Sequence, residues 1–245
     1  MEHTRRTVLK TTAAAVAAAL LPQAQAVNLT PTGKPLKIGV VGAGSLGGTV
    51  GRLLAQAGHE VMFSARDVER VRRRFSGARE QAGTPLQAAQ FGDVVLFALP
   101  YSALPEVAER LASALQGKIV LDAMNPWGEP AMDARVEKEA QGVIGLLTAK
   151  LLPGVRLVRV FSSIDATQIA ASAQRDGDRL AVPLASDDAQ ALALATELVR
   201  EVGCEPVPVG KLLESRRYQR GSNAFRVHVG ADELRKRLGL APAAE

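Results

Sequence analysis

The chain has 245 residues, of which 47% are hydrophobic, so it can bury a substantial core in one domain or slightly more. The formal net charge is +5, but the first ten residues contribute +2 of it, and the remainder is too small to indicate a nucleic-acid partner. The single cysteine, Cys204, excludes an internal disulfide and a multi-cysteine metal site, and three scattered histidines offer no metal-ligand spacing, so no metal site is predicted.

The first 26 residues have the three parts of an export signal. A basic start with Arg5-Arg6 leads into an alanine-rich apolar run over 12–21, and Ala24-Gln25-Ala26 forms a small-x-small cleavage site. Paired arginines before a weakly apolar run are typical of twin-arginine signals, although an uncleaved amphipathic N-terminus is the alternative. We therefore expect cleavage after Ala26, an exposed linker over 27–35, and delivery to the periplasm by the twin-arginine machinery. The apolar run is short and no cysteine follows it, so no stable membrane anchor is expected.

A glycine-rich motif follows the first predicted strand, which covers 36–41. The motif reads Gly42-Ala43-Gly44-Ser45-Leu46-Gly47, and it precedes a helical pattern over 45–57 and a second strand over 60–65. This order is the one in which a dinucleotide fingerprint occurs. We expect Gly42 to permit the tight turn, Gly44 to let backbone amides approach a pyrophosphate, and Gly47 to let the helix pack closely on the strand. A purely structural glycine-rich turn is the alternative.

The end of the second strand favours NADP over NAD. An NAD site usually has an acidic residue here, which hydrogen-bonds the ribose 2′-hydroxyl, whereas this chain has Ser64-Ala65-Arg66. A hydroxyl and a guanidinium suit a 2′-phosphate. We expect Asp67 to cap the next helix, and Arg72 to Arg74 to form a solvated helix face.

Two further strands are expected to end at the same edge of the sheet. A strand over 93–99 ends at Pro100-Tyr101, and a strand over 118–123 leads into Asp122 to Trp127. Ligands bind at the carboxyl ends of parallel strands. The cofactor's ribose or nicotinamide is therefore expected to contact a segment of four residues: Ala98, Leu99, Pro100 and Tyr101. Tyr101 could equally be a packing residue.

Strands and helices continue to alternate after residue 128. We predict one helix over 137–152, strands over 155–161, 179–185 and 205–209, and helices over 189–202 and 231–238. The expected fold is a Rossmann-like, doubly wound α/β fold with a mostly parallel sheet: an NAD(P)-binding core over 36–128 and a small α/β extension over 129–245. His59 is expected in a turn and Cys204 as a packed thiol, while the arginines of 216–226 are left open between a solvated surface and an anion site.

In combination, these motifs resemble the coenzyme F-420-dependent NADP oxidoreductase family. The resemblance is carried by the glycine-rich segment, the Ser64-Ala65-Arg66 tip, Phe97-Ala98-Leu99-Pro100, Asp122-Ala123-Met124-Asn125-Pro126, Leu152-Pro153 with Val158-Arg159-Val160-Phe161, and Ser186-Asp187-Asp188 with Val209-Gly210. It implies hydride transfer between NADPH and a deazaflavin, flavin or similar acceptor. It also implies that Ser64 and Arg66 bind the 2′-phosphate, that Ala98 to Pro100 lie along ribose and nicotinamide, and that Asn125 and Pro126 lie near the reacting ring.

The chain departs from the family pattern at two points. Ser162-Ser163 stand where the family usually has Asn-Thr, and the strand tip lacks the family's Gly-Ser-Arg. No catalytic acid or base is identified, and hydride transfer does not require one. Two alternatives stay open: a dehydrogenase of the hydroxyisobutyrate or pyrroline-carboxylate reductase type, and a non-catalytic NADP-binding sensor. The expected partner is a small-molecule redox substrate, and a homodimer is possible.

Overall fold

One eight-stranded sheet runs through the whole of the chain that the computed structural model describes, residues 34–242. The predicted signal over 1–26 and most of the predicted linker lie outside the described residues. The strands are β1 (Lys37–Val41), β2 (Glu60–Ser64), β3 (Glu80–Gly83), β4 (Val94–Phe97), β5 (Ile119–Asp122), β6 (Arg156–Arg159), β7 (Ala181–Ser186) and β8 (Glu205–Gly210).

The helices follow or precede these strands in regular alternation. They are α1 (Ser45–Gln56), α2 (Val68–Arg74), α3 (Pro85–Phe91), α4 (Leu104–Leu115), α5 (Pro130–Ala140), α6 (Ile144–Leu151), α7 (Ala166–Ser172), α8 (Ala189–Glu201) and α9 (Ala231–Arg237). Short 3-10 helices cover Tyr101–Ala103 and Leu212–Arg217.

The strand order is β3-β2-β1-β4-β5-β6-β7-β8, which confirms the predicted doubly wound, mostly parallel sheet. The strands from β1 to β6 pair in parallel, β7 runs antiparallel to β6, and β8 runs parallel to β7. The chain first winds from β1 outwards to β3, and then crosses back to β4 on the other side of β1. In open α/β sheets such a reversal creates a crevice at the strands' carboxyl ends.

The two faces of the sheet are both covered by helices. Along β4, Val94 and Leu96 belong to one hydrophobic cluster with residues of α1 and α8, whereas Val95 and Phe97 belong to another with residues of α4, α5 and α6. Successive side chains of a strand point to opposite faces, so a strand buried on both sides must be apolar at every position. This explains the uninterrupted apolar sequence of β4.

Local sequence accounts for several of the helix boundaries. Thr84 and Gln87 form a capping box at the start of α3, and the Asp188 side chain accepts a hydrogen bond from Ala191 N at the start of α8. The helix predicted over 137–152 is wrong, because α5 and α6 are separate. Gln141 (φ 53°) and Gly142 (φ 73°) are both left-handed there, which ends α5.

Residues 129–242 continue the sheet with β6, β7 and β8 and form no separate all-helical unit. Their longest helix, α8, has 13 residues. Pro206 and Pro208 lie in β8, an outer strand, where missing amide donors are tolerated. None of the helices among residues 34–242 is long and apolar enough to cross a membrane, and these residues include no group of three His, Cys, Asp or Glu that could hold a metal ion.

The histidine after α1 and the cysteine after α8 are both buried. His59 lies in the turn, where its Nδ1 accepts a hydrogen bond from Leu36 N at 3.0 Å and its Nε2 lies 2.7 Å from Glu201 Oε2. The contact ties the end of α1 to the end of α8. Cys204 is a free, fully buried thiol.

Candidate functional site

The glycine-rich loop is pressed against the ends of β2 and β4. Gly42 has φ 104°, and its amide and that of Ala43 both donate to Ser64 O, at 3.1 and 2.9 Å. A Cβ on Gly42 would lie 2.4 Å from Ala98 O, which no real side chain tolerates. The loop therefore needs glycine at position 42 for its backbone conformation and for its close contact with the end of β4.

The other two glycines of the fingerprint differ in what surrounds them. A Cβ on Gly47 would lie 2.2 Å from Gly42 O and 3.0 Å from Ala98 Cβ, so glycine lets α1 pack closely on the sheet. A Cβ on Gly44 would meet no protein atom within 4 Å. The protein itself does not require glycine at Gly44, and open space above this residue fits the approach of a pyrophosphate.

The N-terminus of α1 has the properties of an anion site. Its N-cap is Gly44, no side chain caps it, and its first turn, which begins with Ser45 and Leu46, contains no acidic residue. The first amides of a helix lack intrahelical acceptors, and the helix dipole favours negative charge beside them. The loop and the first turn of α1 therefore fit the pyrophosphate of a dinucleotide.

Ser64 does not have the orientation that a 2′-phosphate ligand needs. Its side chain is fully buried, and its hydroxyl donates to Val40 O at 2.7 Å, inside the sheet. Ala65 is half-buried and Arg66 is exposed. The prediction that the Ser64 hydroxyl faces the phosphate is thus corrected, and Arg66 is the side chain at this strand tip that can reach a ligand.

The arginines of α2 do not form a uniform solvated face. Asp67 caps the helix as predicted, accepting from Arg70 N at 2.9 Å, and Arg72, Arg73 and Arg74 are all exposed as expected. Arg74, however, donates from Nη1 to Ala43 O at 3.1 Å, in the middle of the glycine-rich loop. Nothing in the local sequence distinguishes Arg74 from its two neighbours, because the contact depends on where α2 ends relative to α1.

The end of β4 lies beside the loop, but one of its four predicted residues points away. Ala98 and Leu99 are half-buried and their backbones lie next to Gly42, whereas Pro100 is exposed. The Tyr101 ring is fully buried, and its hydroxyl donates to Ile144 O at 3.1 Å. Burial raises the pKa of Tyr101 well above its usual value. Tyr101 is a packing residue, which corrects its assignment to the cofactor site.

A buried ion pair holds the turn that follows β5. Arg159 and Asp122 are both fully buried, and Arg159 Nη1 lies 2.8 Å from Asp122 Oδ2. The same guanidinium donates to Met124 O at 2.5 Å and to Asn125 Oδ1 at 2.8 Å. Asp122 Oδ1 also accepts from Met124 N at 3.0 Å. The turn is therefore fixed by charge-assisted bonds from the neighbouring strand, which the sequence did not reveal.

Asn125 and Pro126 lie at the edge next to this ion pair. Asn125 Nδ2 donates to Ser162 O at 2.6 Å, and Pro126 is buried. The Ser162 and Ser163 hydroxyls are buried without a hydrogen-bond partner within residues 34–242. The residue before them, Phe161, has φ 59°, so this short turn carries backbone strain at the mouth of the crevice.

Trp127 is the most exposed large apolar side chain of the described residues, with 61% of its surface accessible. Its ring stacks on Phe225 at 6.2 Å between centroids, and the Arg226 guanidinium lies 5.7 Å from its ring centre. Arg226 N donates to Ser163 O at 2.9 Å, and its guanidinium pairs with Asp165 at 2.5 Å. We call Trp127, Phe225 and Arg226 the aromatic platform.

The basic stretch over 216–226 is a structural feature rather than an anion site. Each of its four arginines has a carboxylate partner: Arg216 and Arg217 contact Glu214, Arg220 contacts Asp133, and Arg226 contacts Asp165. The sequence left both readings open, and the ion pairs favour the structural one.

Comparison with known proteins identifies two parts of the chain. Residues 37–126 match the family model for coenzyme F420-dependent NADP oxidoreductases, and residues 2–22 match the model for twin-arginine translocation signals. The second match confirms the predicted export signal and, with it, the periplasmic destination. The position of the cleavage site stays a prediction.

Three solved structures share the fold. A hypothetical protein from Sinorhizobium meliloti has a TM-score of 0.69 at 24% identity, over 81% of this chain and 97% of its own. A protein from Arthrobacter sp. FB24 named for F420-dependent NADP reductase has a TM-score of 0.59 at 20% identity, over 74% of this chain and 87% of its own. A pyrroline-5-carboxylate reductase from Coxiella burnetii has a TM-score of 0.54 at 19% identity, over 75% of this chain and 63% of its own.

These likenesses show the Rossmann-like fold, and the family match covers the β1 to β5 segment that builds the crevice. Residues 37–126 are therefore similar to the coenzyme F420-dependent NADP oxidoreductases, and the chain shares its overall fold with the three solved structures.

Proposed function

We propose that the exported protein transfers hydride between NADPH and a planar acceptor of the deazaflavin or flavin type. One observation carries the proposal: the carboxyl edge of the central strands has a region suited to an anion and, beside it, a region suited to an aromatic ring. On one side is the uncapped N-terminus of α1 with open space at Gly44. On the other side is the turn after β5, fixed by Arg159 and followed by the aromatic platform.

In this proposal the first side binds NADPH. The amides at the start of α1 receive the pyrophosphate, and Arg66 receives the 2′-phosphate. Ala98, Leu99 and Pro100 lie along the ribose and nicotinamide. The bound nicotinamide supplies the hydride, so the chain's own task is to bind, orient and exclude water.

The second side binds the acceptor. The exposed face of Trp127 offers a planar surface on which an aromatic ring can stack, and the Arg226 guanidinium, paired with Asp165, lies beside the Trp127 ring. In this proposal Asn125 and Pro126, which directly precede Trp127, lie near the reacting ring. The absence of an assigned acid or base is compatible with the reaction, because hydride transfer needs two rings held face to face.

Export constrains how the cofactor is used. The twin-arginine route carries folded proteins, and NADP is scarce outside the cytoplasm, so we propose that NADP is bound before export and travels inside the protein. Protein purified from the periplasm of its own host is therefore expected to contain NADP, identified by mass spectrometry of the released nucleotide.

Hydride transfer is then tested by following NADPH absorbance with coenzyme F420, FMN, FAD and a quinone as acceptors. Turnover with F420 or a flavin supports the proposal. Retained NADP with no turnover on any acceptor would refute the enzyme proposal and favour a non-catalytic NADP-binding sensor. Turnover with hydroxy acids or imines instead would favour the dehydrogenase alternative. That alternative is disfavoured because residues 129–242 continue the sheet.

Replacement of Trp127 tests the acceptor side. Trp127→Leu is expected to raise the KM for the acceptor roughly tenfold, because a stacking surface is lost, and to leave NADPH affinity unchanged. Leu86→Ala, at another exposed apolar side chain (42% accessible), is the matched control. An unchanged KM in Trp127→Leu would remove the platform from the proposal. The homodimer stays a prediction, which light scattering of the purified protein would test.

A further inference from the structure

The last residue of α2 lies on the glycine-rich loop. Arg74 Nη1 donates to Ala43 O at 3.1 Å, and a Cβ on Gly48 would lie 3.3 Å from Arg74 Nη2. The guanidinium therefore extends across the β1–α1 turn and reaches the first turn of α1. Arg74 is exposed, as Arg72 and Arg73 are, but its guanidinium is hydrogen-bonded to the loop.

Packing holds Arg74 in this position. Its guanidinium lies 5.0 Å from the Phe75 ring centre, and Phe75 in turn stacks on Phe63 of β2 at 3.9 Å between centroids. Arg52 of α1 donates from Nη2 to Arg74 O at 2.9 Å, which ties the end of α2 to α1. The side chain is thus largely pre-organised, so little conformational entropy would be lost when it binds a ligand.

The charge of Arg74 is not neutralised by the protein. Within residues 34–242 no carboxylate lies within ion-pair distance of Arg74, whereas Arg72 pairs with Glu69. A guanidinium has five N–H donors, and among residues 34–242 the Arg74 guanidinium makes a single hydrogen bond, to Ala43 O. Most of its donor capacity is therefore available to an anion at the loop.

The side of the loop on which Arg74 lies indicates which part of a dinucleotide it meets. The pyrophosphate sits over the N-terminus of α1, and the residue at the end of β2 contacts the ribose 2′-position. Helix α2 follows β2 directly, so Arg74 approaches Ala43 from the side of that ribose. Arg66 is exposed at the tip of β2, the strand whose end contacts that ribose, so we expect both cations to face the 2′-position.

We propose that Arg74 is a specificity-determining residue that, with Arg66, recognises the 2′-phosphate of NADP. The inference rests on the proposed NADP site and deepens it. Arg74 is then the pre-organised partner of the exposed Arg66 at the 2′-phosphate. The sequence pattern had assigned this role to the Ser64 hydroxyl. The ligand chemistry is a 2′-phosphorylated adenosine, so the binding energy depends on that phosphate and not on the nicotinamide.

Binding measurements on the purified, folded protein test this. Calorimetry would give the affinities of Arg74→Gln, Arg74→Lys and wild type for NADPH, NADH, 2′,5′-ADP and 5′-AMP. We expect Arg74→Gln to weaken NADPH and 2′,5′-ADP by about tenfold to a hundredfold, the range of a lost charge-assisted bond, with NADH and 5′-AMP changed less than about twofold. Arg74→Lys should recover part of the loss. Arg72→Gln, on the same helix, is the control and should change none of the four affinities.

Each other outcome has a distinct meaning. If Arg74→Gln weakens NADPH and NADH equally, Arg74 only supports the loop through Ala43, and the inference is overturned. An unchanged affinity for NADPH overturns it as well. If the wild-type protein binds neither NADPH nor 2′,5′-ADP, the proposed function fails and the inference fails with it.

Discussion

Replacement of Arg159 by methionine tests how the turn after β5 is held. Arg159 and Asp122 have no accessible surface, and the guanidinium contacts Asp122 Oδ2, Met124 O and Asn125 Oδ1. Arg159→Met fills a similar volume but leaves the Asp122 carboxylate buried without its counter-charge. Breaking a buried pair in this way costs about 3–5 kcal/mol of unfolding free energy. For a chain of this size that loss corresponds to a decrease in Tm of roughly 6–20 °C.

The measurement is urea unfolding followed by far-ultraviolet circular dichroism. Arg159→Met should lose far more unfolding free energy than Arg72→Met, because Arg72 and Glu69 are an exposed pair whose contribution is small. The double variant Asp122→Leu/Arg159→Met should regain most of the loss, since it removes both buried charges. A free energy of unfolding in Arg159→Met within about 1 kcal/mol of wild type would refute the reasoning, because leaving a buried charge unpaired costs more unfolding free energy than this.

Two further predictions concern the fingerprint and the buried thiol. Gly44→Ala should leave stability unchanged, because its Cβ meets no protein atom within 4 Å, but it should weaken NADPH binding. Gly47→Ala should destabilise the fold, because its Cβ would lie 2.2 Å from Gly42 O. Thermal melts and calorimetry on both variants check this, and an equal loss of stability in the two would contradict it. Burial raises the pKa of the Cys204 thiol to about 11. A thiol reagent at pH 8 should therefore react with Cys204 only as fast as the protein unfolds. Rapid stoichiometric labelling of the native state would contradict this, because it would show that Cys204 is accessible.

The sequence by itself determined the fold class and the cofactor loop, because both are encoded locally. Short apolar runs such as that of β4, alternating with helical patterns, are typical of a parallel sheet covered on both faces. The spacing of Gly42, Gly44 and Gly47 falls within one turn and the start of one helix, so it can be recognised from a few consecutive residues. The export signal was likewise readable, because a targeting segment is recognised as a linear pattern.

Secondary structure was missed where the local signal was weak. Strand β3 has the sequence Glu-Gln-Ala-Gly and lies at the outer edge of the sheet, so it needs no apolar pattern. The division between α5 and α6 depends on Gln141 and Gly142 both adopting left-handed conformations, and glutamine gives no warning of this.

Only the tertiary structure decided which side chains reach the crevice. Side chains alternate along a strand, so a tip sequence such as Ser64-Ala65-Arg66 does not reveal which of its members points inward. The structure turns the Ser64 hydroxyl into the sheet and leaves Arg66 outside. The same limit applies to Arg74 and Arg159. Each acts through a partner more than thirty residues away, Ala43 for one and Asp122 for the other, and such contacts exist only once the strands and helices have packed.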